Sequence, residues 1–184
     1  VALELYHDSS PDLIRKLQSL ELHVAFSRTT LRVPSDLHVA HLLEEPMVAA
    51  LPVSHRLARS SSRRMLRLND LAEDTFVAYP RGPCAGLCDA LLSACRASGF
   101  SPVIGYEAPQ MLATLGLVAA GLGVTIVPQS LTMVRMSNVV FREIAVPRSA
   151  RAHLNLIALK RRDEAVITAF REIVAKLAKC PNVA

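Results

Sequence analysis

Three of the four cysteines crowd one short stretch: Cys84, Cys88 and Cys95 lie at i, i+4 and i+11, a spacing that lets them share a face if the stretch is helical. The chemistry open to such a cluster is metal ligation or a thiol–disulfide switch. Metal ligation fits poorly. There is no C-x-x-C pair, and His7, His23, His38, His41, His55 and His153 fall at no recognised ligand spacing, so no metal is expected. With only four cysteines, Cys180 being the last, reduced thiols are the default reading. The chain also lacks a G-x-S-x-G elbow, an H-E-x-x-H helix and a P-loop. No catalytic residue is assigned, and an enzyme is disfavoured. Gly121 and Gly123 read as a left-handed helix stop and a tight turn leading from a helix into a strand. A dinucleotide loop runs the other way, from strand into helix with G-x-G-x-x-G, so no cofactor is expected.

The elements that would position these residues alternate between short β-rich runs and amphipathic helical runs, the pattern of an α/β fold with substantial parallel sheet. Val1 to Tyr6 reads as a strand. Ser9-Ser10-Pro11-Asp12 supplies a cap, an early proline and an early acid for a helix with Leu13, Ile14, Leu17 and Leu20 as its apolar stripe. Further strands are expected at Leu22 to Ser27 and within Leu37 to Val53, broken near Glu44-Glu45-Pro46. Ser54 to Asp70, rich in arginine and serine, reads as an exposed loop before a one-turn helix at Asn69 to Ala72. Thr75 to Tyr79 is a strand and Cys84 to Ser98 a helix, with Leu87, Leu91, Leu92 and Cys95 on one face and Gly99 as its stop. Then come a strand at Val103 to Glu107, a helix from about Gln110 to Ala120 and a strand at Val124 to Val127. Two more strands are expected at Val139 to Ala145 and Leu154 to Leu159. A closing helix from Asp163 to Ala178 carries Val166, Ile167, Phe170, Ile173, Val174 and Leu177 as a stripe expected to be buried.

Composition excludes several classes. At 184 residues and 51% hydrophobic content the chain can bury a core. No apolar run reaches bilayer length and the N-terminus has no signal-peptide pattern, so a cytoplasmic location is expected. The net charge of +5 accompanies no helix-turn-helix, zinc module or RNA-binding platform, and 4% aromatics argues against base stacking. Arg63, Arg64 and Arg67 read as a solvated face rather than a site.

Several ordered motifs resemble the effector-binding domains of LysR-type transcriptional regulators. Leu13-Ile14-x-x-Leu17 followed by Leu22-x-Val24-Ala25-Phe26 looks like the family's helix and strand before a ligand-facing turn. Glu45-Pro46 with Leu51-Pro52-Val53-Ser54-His55-Arg56-Leu57-Ala58 is similar to its E-P-x-V-x-x-L-P-x-x-H-P-L-A run, with Arg56 in place of the usual proline. Leu68-Asn69-Asp70-Leu71-Ala72 matches an L-x-D-L-A segment. The most specific piece is Leu115-Gly116-Leu117-Val118-Ala119-Ala120-Gly121-Leu122-Gly123-Val124-Thr125-Ile126-Val127-Pro128.

The resemblance implies two Rossmann-like lobes joined by two crossover strands, the type II periplasmic-binding-protein architecture. Lobe I would comprise residues 1–77 and 155–184 and lobe II residues 78–154, with crossovers near Phe76 to Tyr79 and Ala152 to Leu156 and with the first strand and helix of lobe I missing. It implies a small-molecule effector in the inter-lobe cleft: a small organic anion, such as an aromatic acid or muconate-like compound. Candidate effector contacts are Arg28, Thr29 and Thr30, then Tyr79 and Arg81, then Pro109, Gln110 and Met111, and Pro128. Hydroxyls, free backbone N–H groups near Gln110 and an arginine fork would hold a carboxylate. DNA would be reached only through an N-terminal winged helix-turn-helix not in this chain, in a homodimer or homotetramer with no membrane partner. The family's peroxide sensors use two cysteines; Cys95 falls near one of them, but the partner position does not match. An extracytoplasmic solute-binding protein of the same architecture is the alternative, and a small α/β enzyme a third class.

Overall fold

The computed structural model describes residues 2–28, 33–59, 65–80, 86–145, 150–161 and 164–178. Along the chain these form α1 (Ser10–Gln18), β1 (Val24–Ser27), β2 (Leu37–Glu45), β3 (Met47–Pro52), β4 (Leu66–Arg67), β5 (Thr75–Ala78), α2 (Gly86–Ala97), β6 (Val103–Glu107), α3 (Met111–Ala119), β7 (Thr125–Pro128), β8 (Val139–Ala145), β9 (Ala152–Leu159) and α4 (Ala165–Leu177). Two short 3-10 turns, Leu68–Leu71 and Gln129–Met133, complete the order. The chain divides into two compact units: residues 1–43 with 153–183, and residues 44–152. The division passes through β2 and β9, which therefore run from one unit into the other.

In the first unit, β9 is the middle strand of a three-stranded sheet ordered β1-β9-β2. β1 pairs with β9 antiparallel, Val24 opposite Ala158 and Ser27 opposite Asn155. Helix α1 begins where expected: the Ser9 side chain accepts from the Asp12 N–H, proline follows at the first turn, and Ile14 and Leu17 are buried. Two expectations fail in this unit. Residues 2–9 form no strand, and Leu3 and Leu5 are exposed; a β-rich pattern becomes a strand only where a partner strand completes its hydrogen bonds. Leu20 also leaves the stripe of α1. It lies beyond the helix at φ +66° and is exposed.

The second unit holds a four-stranded sheet ordered β4-β8-β3-β7, with β3 antiparallel to β7 and β8 and β4 parallel to β8. β5 and β6 pair in parallel, and Val124 extends that ladder: it donates to Thr75 O and Val77 donates to Val124 O, both at 2.8 Å. The pairing is thus mixed, with more antiparallel contact than the alternating pattern suggested. β3 is buried at all six positions, as a strand covered on both faces requires. Its core gathers Met47, Ala49, Leu51, Leu68, Leu71, Phe76, Leu91, Cys95, Val124 and Ile126. Ser54 to Asp70 is not wholly a loop, since Leu66 and Leu68 are buried within β4 and the following turn. Within it, His55 Nδ1 accepts from the Leu57 N–H at 3.2 Å. The ring proton therefore sits on Nε2, 3.0 Å from Asp74, and this tethers the motif's histidine to the residue before β5.

Helices α2 and α3 both end in Schellman geometry. Gly99 (φ +89°) follows α2, with Phe100 N–H on Cys95 O; Gly121 (φ +79°) follows α3, with Leu122 N–H on Leu117 O. Gly123 has a different reason from the tight turn expected. A Cβ there would stand 2.5 Å from Thr75 O, so glycine is what lets β7 approach β5. Burial reverses one more expectation. Of the α4 stripe only Ile167 is buried, whereas Val166, Ile173 and Leu177 are about half exposed.

Candidate effector site

The topology of the second unit brings five of the nine candidate residues to one edge. β5, β6 and the Val124 end of β7 run in the same direction, so their carboxyl ends lie together, the place where open α/β sheets receive ligands. Tyr79, 7% exposed, follows directly on β5. Pro109 follows β6, and the Ala108 N–H donates to Ala78 O at 3.0 Å, tying that turn to the end of β5. Pro128 is the last residue of β7, opposite Met47 of β3.

Gln110 is the N-cap of α3 and Met111 its first residue. The Gln110 backbone is extended (φ −120°, ψ 141°), its side chain makes no capping hydrogen bond, and the first turn holds no acid. The first intrahelical donors are thus left to whatever approaches, and the helix dipole adds partial positive charge there. Thr114, fully buried, turns its hydroxyl back onto Gln110 O at 3.1 Å, which fixes the cap residue. An uncapped helix N-terminus of this kind can accept an anionic group.

Arg28 belongs to the first unit, half-buried immediately after β1. Thr29, Thr30 and Arg81 lie outside the described residues, as does Cys84. Cys88 and Cys95 are buried in α2, and burial pushes the Cys95 thiol up to about 12. At neutral pH Cys95 is a protonated core side chain, which removes the reactivity a redox switch needs.

One positioning residue escaped the sequence reading. Glu45, 8% exposed, accepts from the Ser130 N–H at 2.7 Å and from its hydroxyl at 3.2 Å. The Gln129 N–H reaches Pro46 O at 2.9 Å. Together they clamp the chain just after Pro128. The signal was the Glu45-Pro46 pair itself, read as a motif element without a role: a glutamate between two apolar strands has to find donors.

A family model described as "LysR substrate binding domain" matches residues 1–179. The HTH-type transcriptional regulator CatR of Pseudomonas putida is 36% identical over 117 residues, 64% of this chain and 39% of that protein. Among solved structures, CbnR, a LysR family transcriptional regulator, has a TM-score of 0.82 at 24% identity, covering 96% of this chain and 60% of its own. The BenM effector binding domain with its effector benzoate has a TM-score of 0.78 at 22% identity, covering 95% and 77%. These likenesses carry the type II periplasmic-binding-protein-like fold. The chain spans well under two thirds of the curated regulators it matches, 39% of CatR and 49% of BudR. With a family model covering nearly its whole length, the chain belongs to the LysR substrate-binding domains, the effector-binding part of LysR-type regulators.

Proposed function

We propose that this domain senses a small organic anion and so governs transcription from DNA contacted by a separate part of its protein. The domain itself carries out no chemistry. The observation behind the reading is the uncapped N-terminus of α3 beside the carboxyl ends of β5 and β7, with no acid in its first turn. A carboxylate placed there accepts the Met111 and Leu112 N–H groups, and Tyr79 and Pro128 flank the organic body of the ligand. BenM, whose effector is benzoate, makes aromatic carboxylates the first compounds to try, with muconate-like diacids next. Signal transmission requires unequal effector affinity for two arrangements of the full-length protein, which we take to be a cytoplasmic homodimer or homotetramer.

Thermal-shift screening against aromatic acids, aliphatic diacids and matched amides tests the reading. Acids should raise the melting temperature and amides should not; a hundredfold excess over Kd stabilises by about 2.7 kcal/mol. Stabilisation by neutral or cationic compounds only would refute the anion assignment. Arg28→Ala with Thr29→Val tests those two candidate residues separately, and unchanged affinity removes both from the effector contacts.

A further inference from the structure

Thr114 is the one polar side chain of α3, which is otherwise apolar from Met111 to Ala119. It is fully buried, on the inward face of the helix with Leu115 and Val118. Valine has nearly the same shape and would carry no polar atom inside, so packing alone gives no reason for the hydroxyl. The β-branch and the bond to the carbonyl four residues back also work slightly against the helix. The hydroxyl therefore needs another explanation.

Its acceptor supplies one. Gln110 O takes two hydrogen bonds, from the Thr114 N–H at 2.9 Å and from the Thr114 hydroxyl at 3.1 Å. That oxygen belongs to the same planar peptide group as the Met111 N–H, and across a trans peptide the two point in opposite directions. Holding Gln110 O into the first turn thus holds the Met111 N–H outward, at the end of α3 that no side chain caps. A carbonyl that accepts two bonds also polarises the N–H of its own peptide into a stronger donor. The surrounding chain gives this weight. From Ala108 to Val134 there is no charged side chain, so this stretch offers an anion oriented dipoles only.

Resting on the anion reading above, we propose that Thr114 is a positioning residue of the effector site, whose buried hydroxyl fixes and polarises the Gln110–Met111 peptide so that the Met111 N–H meets a carboxylate. Thr114 touches no ligand itself. It acts through the donor, so its contribution falls on carboxylates and is small for the matching amides, whose oxygen carries no full charge.

Benzoate, muconate and benzamide are titrated by calorimetry into the wild-type chain, Thr114→Val and Thr114→Ser. Thr114→Val should weaken acid binding by about tenfold, a large part of what one hydrogen bond to a charged group contributes, and narrow the advantage of benzoate over benzamide to match. Thr114→Ser keeps the hydroxyl and should stay within about twofold of wild type. Thermal melting without ligand separates this role from a structural one. Thr114→Val should melt no lower than wild type, since Gln110 O keeps its bond from the residue 114 N–H and the interior loses a hydroxyl. Equal acid affinity in wild type and Thr114→Val, equal losses in the Val and Ser variants, or a lower melting temperature in Thr114→Val would each overturn the inference and leave the anion reading intact. No acid bound by the wild-type chain would overturn both.

Discussion

The helices α2 and α4 carry similar apolar stripes and meet different fates. In α2, Leu91, Ala94 and Cys95 are completely buried against the sheet of the second unit. In α4 only Ile167 is buried, while Ile173 and Leu177 stand 55% exposed. A 3.6-residue stripe records that one face is apolar, and burial depends on which other elements are there to cover it. Where strands surround the helix, as around α2, the stripe becomes core. The difference predicts that stability is concentrated in the second unit.

The strongest way to break that contrast is Gly123→Ala. The new Cβ would meet the Thr75 backbone oxygen, which no rotamer change can relieve. Urea denaturation should show a loss of about 4 kcal/mol or failure to fold. Leu91→Ala should cost about 3 kcal/mol by leaving a cavity in the same core. Glu45→Ala strands the Ser130 N–H inside the clamp after Pro128 and should cost about 2 kcal/mol. Weaker effector binding in that variant would confirm that the clamp also positions the site.

Cys95 sharpens the comparison through pH. Its folded-state value, about 12, lies above that of an unfolded thiol, so above the ordinary thiol range the unfolded chain loses a proton that the folded chain keeps. Stability should therefore fall with rising pH by up to about 1.4 kcal/mol per pH unit. Cys95→Ala should flatten the curve there. The smallest effect belongs to α4: Ile173→Ala and Leu177→Ala should each change stability by no more than about 0.5 kcal/mol. A core-sized loss at either position would show that this face is covered in the working protein.

Much of the fold is legible in the residues because local signals and tertiary contacts agree. Strands β6 and β8 occupy the expected spans, and the Ser9 cap and the Gly99 and Gly121 stops act as such signals usually do. Residues 2–9 and the α4 stripe mislead because pattern reports compatibility with an element and leaves the partner unspecified. The site divides in the same way. Gln110 and Met111 could be found from a helix start alone. The Glu45–Ser130 clamp could not, because it joins residues that only the tertiary fold brings together.

The first unit is built from both ends of the chain, residues 1–43 and 153–183, with the whole second unit spliced between them. During synthesis β1 leaves the ribosome long before β9, the strand it pairs with. The second unit can therefore finish folding while the early strands still wait, since domains fold as units from the amino end. Closing the β1–β9 ladder then pays the chain entropy of a long loop, and a chain interrupted before β9 would hold a folded second unit while β1 still lacked its partner.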